Sequence, residues 1–139
     1  MTKTALITGA SSGIGRGIAH KFGEEGWEVT IVARRNENLE NVANEVKEAG
    51  GKVHIFATDL TVEGNPDKAV KYAIEKMGKI GTLVNNAGMG RFEMVPDIKD
   101  ESYQEQFQLN VWACMAMVRS AVPHFKENGG GQIVNIGSI

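Results

Sequence analysis

An α/β fold built on a doubly wound parallel sheet is what the sequence predicts, from three observations. Short apolar runs alternate with amphipathic helical stretches, Gly or Asn marks nearly every change, and no repeat, low-complexity tract or linker divides the chain. Strands separated by helices need parallel crossover connections, and right-handed crossovers wind helices onto both faces of one open sheet. The 139 residues, 42% hydrophobic and 23% charged, fit one globular domain over residues 1–139 with a single core.

Thr4 to Thr8 reads as a buried first strand, followed by a Gly-rich turn and a helix whose Ile14, Ile18, Ala19 and Phe22 recur at helical spacing. Val29 to Ala33 is a second strand. Leu39, Val42, Ala43 and Val46 form the apolar stripe of a second helix that ends at Gly50 and Gly51, and Val53 to Ala57 is the third strand. Asn65 and Pro66 form a cap and first-turn pair for a third helix, with Ala69, Val70, Ala73, Ile74 and Met77 on one face. Thr82 to Asn85 is a short fourth strand, followed by an irregular stretch from Asn86 to about Asp100 of the kind that often borders a site. A long helix from Glu101 to Lys126 is expected to bury Phe107, Val111, Cys114, Met115, Val118 and Val122, with Pro123 bending its end. Ile133 to Ile136 is the fifth strand.

Several function classes are set aside. The longest apolar run, Val111 to Val118, is far short of the roughly 18 residues of a bilayer span, and Ala5 to Ile7 is too short for a targeting leader. A net charge of −2 with interspersed signs argues against nucleic-acid or membrane contact. The single cysteine, Cys114, fits a cytoplasmic setting and ordinary core packing. His20, His54 and His124 show no triad or metal spacing, so no metal site is expected.

Chemistry is concentrated after the first strand, in Thr8-Gly9-Ala10-Ser11-Ser12-Gly13-Ile14-Gly15. Gly9 permits a tight turn, Gly13 lets backbone approach a pyrophosphate, and Gly15 allows the helix to pack against the strand. The helix N-terminus offers free N–H groups to phosphate. A P-loop is excluded, because no Gly-Lys-Ser/Thr follows Gly9 at the required distance. The pattern points to a Rossmann-type dinucleotide site.

These residues resemble the cofactor motif T-G-x-x-x-G-x-G of the short-chain dehydrogenase/reductase (SDR) family. Three further matches follow in order: Asn85-Asn86-Ala87-Gly88 is similar to the family's N-N-A-G, Asn110 falls where its long helix carries an active-site Asn, and Ser138 falls at its catalytic Ser. The resemblance implies an NAD(P)H-dependent oxidoreductase, with hydride transfer between the cofactor and a small carbonyl or alcohol. It further implies that Asn86, Ala87 and Gly88 line the adenine-ribose side, that Asn110 bends its helix through a water and supports a proton relay, and that Ser138 hydrogen-bonds the substrate carbonyl. Asp59 and Leu60 resemble the pair at the adenine edge. Asp59 reads equally well as a turn aspartate before Thr61.

The end of the second strand bears on which dinucleotide is held. An acid there would bond the ribose 2′-hydroxyl and repel a 2′-phosphate, but the sequence has Arg34 and Arg35, with Arg34 lying 19 residues beyond Gly15. A guanidinium suits phosphate bidentately, so NADP(H) is favoured over NAD(H).

Family members carry a Tyr and a Lys in Y-x-x-x-K after the serine, a position that lies past residue 139 of this sequence. Tyr72 and Lys76 fit the spacing but precede the N-N-A-G strand, where they read as a helix's polar face. The expectation is therefore a cofactor-binding half, truncated after the fifth strand and catalytically silent alone. The alternative is a non-enzymatic dinucleotide-binding or interaction module. An apolar edge at Ile133, Val134 and Ile136, with Val111, Met115 and Val118 beside it, predicts a homo-oligomer joined through fifth strands. Gly81, where the family often has Asp, is expected to loosen the turn before the fourth strand.

Overall fold

The computed structural model describes residues 2–138. Among them, β1 (Thr4–Thr8), β2 (Glu28–Ala33), β3 (Lys52–Ala57), β4 (Thr82–Asn85) and β5 (Gln132–Asn135) form one sheet in the order β3-β2-β1-β4-β5, every neighbouring pair parallel. The strand order reverses between β1 and β4, which places a crevice at the carboxyl ends of those strands. The expected strands lie within one residue of those observed.

β1 is buried on both faces, and its alternation assigns side chains to two cores. Ala5 and Ile7 point with Val29 and Ile31 toward α1 (Gly13–Glu24) and α2 (Asn36–Ala49), meeting Ala19, Leu39, Val42 and Val46. Leu6 and Leu83 face the opposite way, toward α3 (Asn65–Met77), and join Ala69, Val70, Ala73, Met117 and Ala121. Each fully buried Leu or Ile contributes about 1.5–3 kcal/mol, so both faces need their helices. α2 stops where expected, at Gly50, whose φ of 108° is left-handed.

α3 begins differently from the sequence expectation. Gly64 occupies the cap, and Asn65 lies inside the helix, its Nδ2 donating to the carbonyl of Asp59 at 2.8 Å. Gly81 is not loose: its N–H donates to Thr4 Oγ1 at 2.9 Å, its carbonyl accepts from Gln132 N at 2.9 Å, and a Cβ there would stand 2.5 Å from the carbonyl of Thr2. Glycine closes that turn because the chain passes directly over it.

The irregular stretch contains a 3-10 turn at Val95–Asp97, and the expected long helix is three pieces: α4 (Asp100–Phe107), a π-helical turn (Gln108–Ala113) and α5 (Cys114–Glu127), which runs on through Pro123. The expected buried stripe is overturned. Phe107, Val111 and Met115 are about half exposed, Cys114, Val118 and Val122 are partly exposed, and the buried residues are Ala113, Ala116, Met117, Ala121 and Phe125. Wider winding in the π turn rotates α5 relative to a continuous α-helix, and small alanines let α5 lie close against the sheet. Ile14 is likewise 64% exposed, because the first turn of α1 faces the crevice instead of the core.

Candidate functional site

At the carboxyl ends of β1, β2 and β4 lies a cleft of about 890 Å³, within the roughly 300–1,000 Å³ range of small-molecule sites. It is lined by Gly9, Ser11, Ser12, Gly13 and Ile14 from the turn after β1, by Arg34 and Arg35 after β2, and by Asp59 and Leu60 after β3. Asn86, Ala87 and Gly88 after β4 complete that wall. The sequence-predicted cofactor residues thus converge, with the exception of Gly15, which sits buried behind them.

Gly9 takes φ 64° and Gly13 φ 55°, a region disfavoured for side-chain-bearing residues. Their surroundings differ. A Cβ on Gly9 would stand 2.7 Å from Ala87 Cα, whereas nothing lies within 4 Å of one on Gly13, so the Gly13 backbone is open to a ligand. A Cβ on Gly15 would stand 2.3 Å from the carbonyl of Gly9 and 2.4 Å from Asn86 Nδ2. Gly15 therefore makes room for the turn itself and for Asn86, not only for helix against strand. Ser12 caps α1 through its extended backbone and leaves its side chain out of the cap.

Thr8 and Asn86 lock the turn. Thr8 Oγ1 accepts from the N–H groups of Asn86 and Ala87, both at 3.0 Å. Asn86 Nδ2 in turn donates to the carbonyls of Thr8 at 3.2 Å and Gly9 at 3.1 Å. The amide of Asn86 is committed to the protein, and the strand-end backbone is what Ala87 and Gly88 present to the cleft. Sequence reasoning placed Thr8 in the motif without seeing this role, since its partners are 78 and 79 residues away.

Asp59 lines the cleft and also makes turn contacts. Its Oδ1 accepts from the backbone N–H of Thr61 at 2.9 Å and from the Thr61 hydroxyl at 2.6 Å. The Thr61 hydroxyl and backbone, with the nearby Arg34 charge, hold its carboxyl below the usual aspartate range against a smaller opposing effect of burial. Gln108 Nε2 donates to the Thr61 carbonyl at 3.0 Å, tying the π turn to this wall of the cleft. Arg34 and Arg35 are exposed and take part in none of the ion pairs among the described residues.

Asn110 is in the π turn and exposed, so the apolar surroundings expected for it are not found. Its amide clamps the backbone of Met89: Oδ1 accepts from Met89 N at 2.8 Å and Nδ2 donates to Met89 O at 2.7 Å. Ser138 lies three residues beyond β5, exposed, and is not part of the cleft wall. The structure gathers the cofactor candidates but does not bring Asn110 and Ser138 into that same wall.

The remaining candidates resolve structurally. Tyr72 stacks on Phe56 with ring centroids 4.8 Å apart, and Lys76 Nζ lies 5.5 Å from the Tyr72 centroid, outside the cleft. Cys114 is partly exposed instead of core; its thiol donates to Asn135 Oδ1 at 3.5 Å, and burial pushes its pKa up. His54 pairs with Glu28 at 2.8 Å, and His124 Nε2 accepts from Ile80 N at 3.1 Å. Among the described residues no group of three or more His, Cys, Asp or Glu could hold a metal, and no helix is long and apolar enough to cross a membrane.

A parallel sheet reversing at β1 and β4, with a glycine cradle, an open helix N-terminus and a converging cleft, defines a Rossmann-type nucleotide-binding domain. The short chain dehydrogenase family profile matches residues 3–139, and the chain belongs to that family. It is 37% identical over 139 residues to a fatty acyl-CoA reductase of Acinetobacter baylyi, covering 99% of this chain and 47% of the relative. An uncharacterized oxidoreductase of Staphylococcus aureus is 32% identical over 137 residues, 99% of this chain and 58% of the relative. The chain spans about half the length of these curated relatives. A metagenomic short-chain oxidoreductase in complex with NADP superposes with a TM-score of 0.93 at 33% identity, over 99% of this chain and 62% of that one. An NAD+-bound xylitol dehydrogenase gives 0.93 at 29% identity, over 98% and 53%.

Proposed function

We propose that residues 1–139 are the dinucleotide-binding half of a short-chain oxidoreductase and hold NADP(H) in preference to NAD(H). The observation that carries the preference is Arg34, exposed at the rim of the cleft directly after β2, where the chain itself places Ala33, Arg34 and Arg35 and no acid. A guanidinium there offers paired donors to a 2′-phosphate, where an acid would repel it. Arg35 adds a second positive charge at the start of α2. Gly9, Ser11, Ser12, Gly13, Ile14 and the N-terminus of α1 receive the pyrophosphate. Gly15 keeps the turn compact, while Asp59, Leu60 and Asn86–Gly88 form the adenine and ribose walls. When bound, the cofactor would supply hydride in its reduced form or accept it in its oxidised form, and these residues orient it.

Ser138 and Asn110 are the candidate catalytic residues, for a small carbonyl or alcohol. Asn110 works by holding Met89, and Ser138 by hydrogen-bonding the substrate oxygen. Residues 1–139 by themselves bind cofactor without turnover, since general acid catalysis contributes about 10²–10⁴-fold and neither Tyr72 nor Tyr103 is in the cleft wall. The lone cysteine supports a cytoplasmic setting. The exposed Val111, Met115, Ile133 and Val134 support a homo-oligomer, which light scattering tests; a stable monomer at micromolar concentration overturns it.

Fluorescence titration decides the cofactor. NADPH is expected to bind about tenfold tighter than NADH, the scale of one charge-assisted contact, and Arg34→Asp to reverse the order. Equal affinities in the unaltered chain overturn the preference.

A further inference from the structure

Residues 89–94 have no regular secondary structure, yet three rungs fasten them to α4 and the π turn. Met89 is clamped by Asn110. Arg91 donates from its backbone N–H to Gln106 Oε1 at 3.2 Å and from its guanidinium to the Glu105 carboxylate. The Ser102 hydroxyl donates to the Glu93 carboxylate. Gln106 Nε2 also donates to the Ser102 carbonyl at 3.3 Å, which fixes the orientation of its amide toward Arg91.

The registers agree. Residues 102 and 106 are four apart on one face of α4, Asn110 follows four further on in the π turn, and 89, 91 and 93 are two apart in a chain running the opposite way. Two extended residues advance about 6.6 Å and four helical ones about 6 Å, so each second loop residue meets a new helical turn. Met89, Arg91 and Glu105 also line the cleft, so the ladder is continuous with the wall made by Ala87 and Gly88.

We propose that Ser102, Glu105 and Gln106 are positioning residues for dinucleotide binding: they register residues 89–93 against the helix and hold the adjoining cleft wall in its binding shape. This rests on the proposed dinucleotide function, and it adds to the Asn110 clamp two rungs that touch no reacting atom. Because the ladder acts on the wall and not on the 2′-phosphate, its loss weakens both dinucleotides by the same factor.

The test uses S102A/E105Q/Q106L and the conservative E105D, each titrated with NADPH and NADH, with amide hydrogen exchange read at residues 89–93 and in β1 and β2. Each exposed rung is expected to contribute about three- to fivefold at most, and the triple variant about tenfold in all. The expected result is equal weakening of both dinucleotides in the triple variant, faster exchange confined to 89–93, and affinity within about twofold of the unaltered chain in E105D. Unchanged affinity despite faster exchange overturns the proposal, as does a loss accompanied by faster exchange throughout β1 and β2. If the unaltered chain binds neither dinucleotide, the proposed function itself falls, a result distinct from a variant that binds as tightly as its parent.

Discussion

β4 and β5 are paired in register, Leu83 beside Ile133 and Val84 beside Val134, yet β4 is buried along its whole length and β5 exposed along its whole length. Composition does not separate them. Position does: β4 has β1 on its other side, with α5 packed near it, whereas among the described residues β5 has no strand beyond it. The same contrast divides the helices. α2 buries Leu39, Val42, Ala43 and Val46 as its periodicity demands, while the segment around the π turn points Phe107, Val111 and Met115 outward. The side of the sheet that carries the glycine turn is packed, and the side that carries Ser138 is open.

The sharpest break of that contrast is a matched pair. Leu83→Ala should cost about 2–5 kcal/mol of unfolding free energy, and Ile133→Ala, 37% exposed at the register-matched position, no more than about 1 kcal/mol. Denaturant titration of both would show it, and equal losses would mean β5 is as well covered as β4. A second pair probes the turn. Gly15→Ala meets the carbonyl of Gly9 and Asn86 Nδ2 inside contact distance and should abolish dinucleotide binding with about 1–3 kcal/mol of destabilisation. Gly13→Ala meets nothing and should cost only the about 1 kcal/mol of its left-handed backbone. Thermal melts beside cofactor titration would rank them.

Titration gives the smaller effects. Asp59 is held below the usual carboxylate range of about 3.8 by the Thr61 hydroxyl first. Its stabilising contribution is therefore complete above that value and lost as pH falls through the lowered folded value. For a partly exposed group it should amount to under about 1 kcal/mol. The stability gap between the unaltered chain and Asp59→Asn should be constant near neutrality and close below about pH 4; a gap widening with acid would reverse the sign. The least effect is at Cys114, whose thiol is pushed above its ordinary value by burial, so alkylation near pH 8 should run slower than for a free thiol. Faster modification would mark an activated cysteine on the open side.

The sequence by itself determined the parallel α/β architecture and the strands to within one residue, because strand periodicity and glycine turns are local signals; it named the glycine turn, Arg34 and Arg35 on the cleft but not Met89, Arg91, Glu105 or Gln108, which also line it. It singled out Asn110 by residue type but assigned it apolar surroundings, and it left Asp59 between two roles. Only the tertiary structure shows their contacts: Asp59 holds Thr61, and Asn110 holds the backbone of Met89. Thr8 finds its partners 78 and 79 residues away, Gln108 reaches Thr61 across 47, and the ladder from Met89 to Glu93 needs two segments to meet in register. The helix stripe was misread for a related reason: a 3.6-residue period assumes unbroken α winding, and a π turn at Gln108–Ala113 changes which face meets the sheet. Local sequence limits what a segment can form, whereas the face it buries depends on the surface it is brought against.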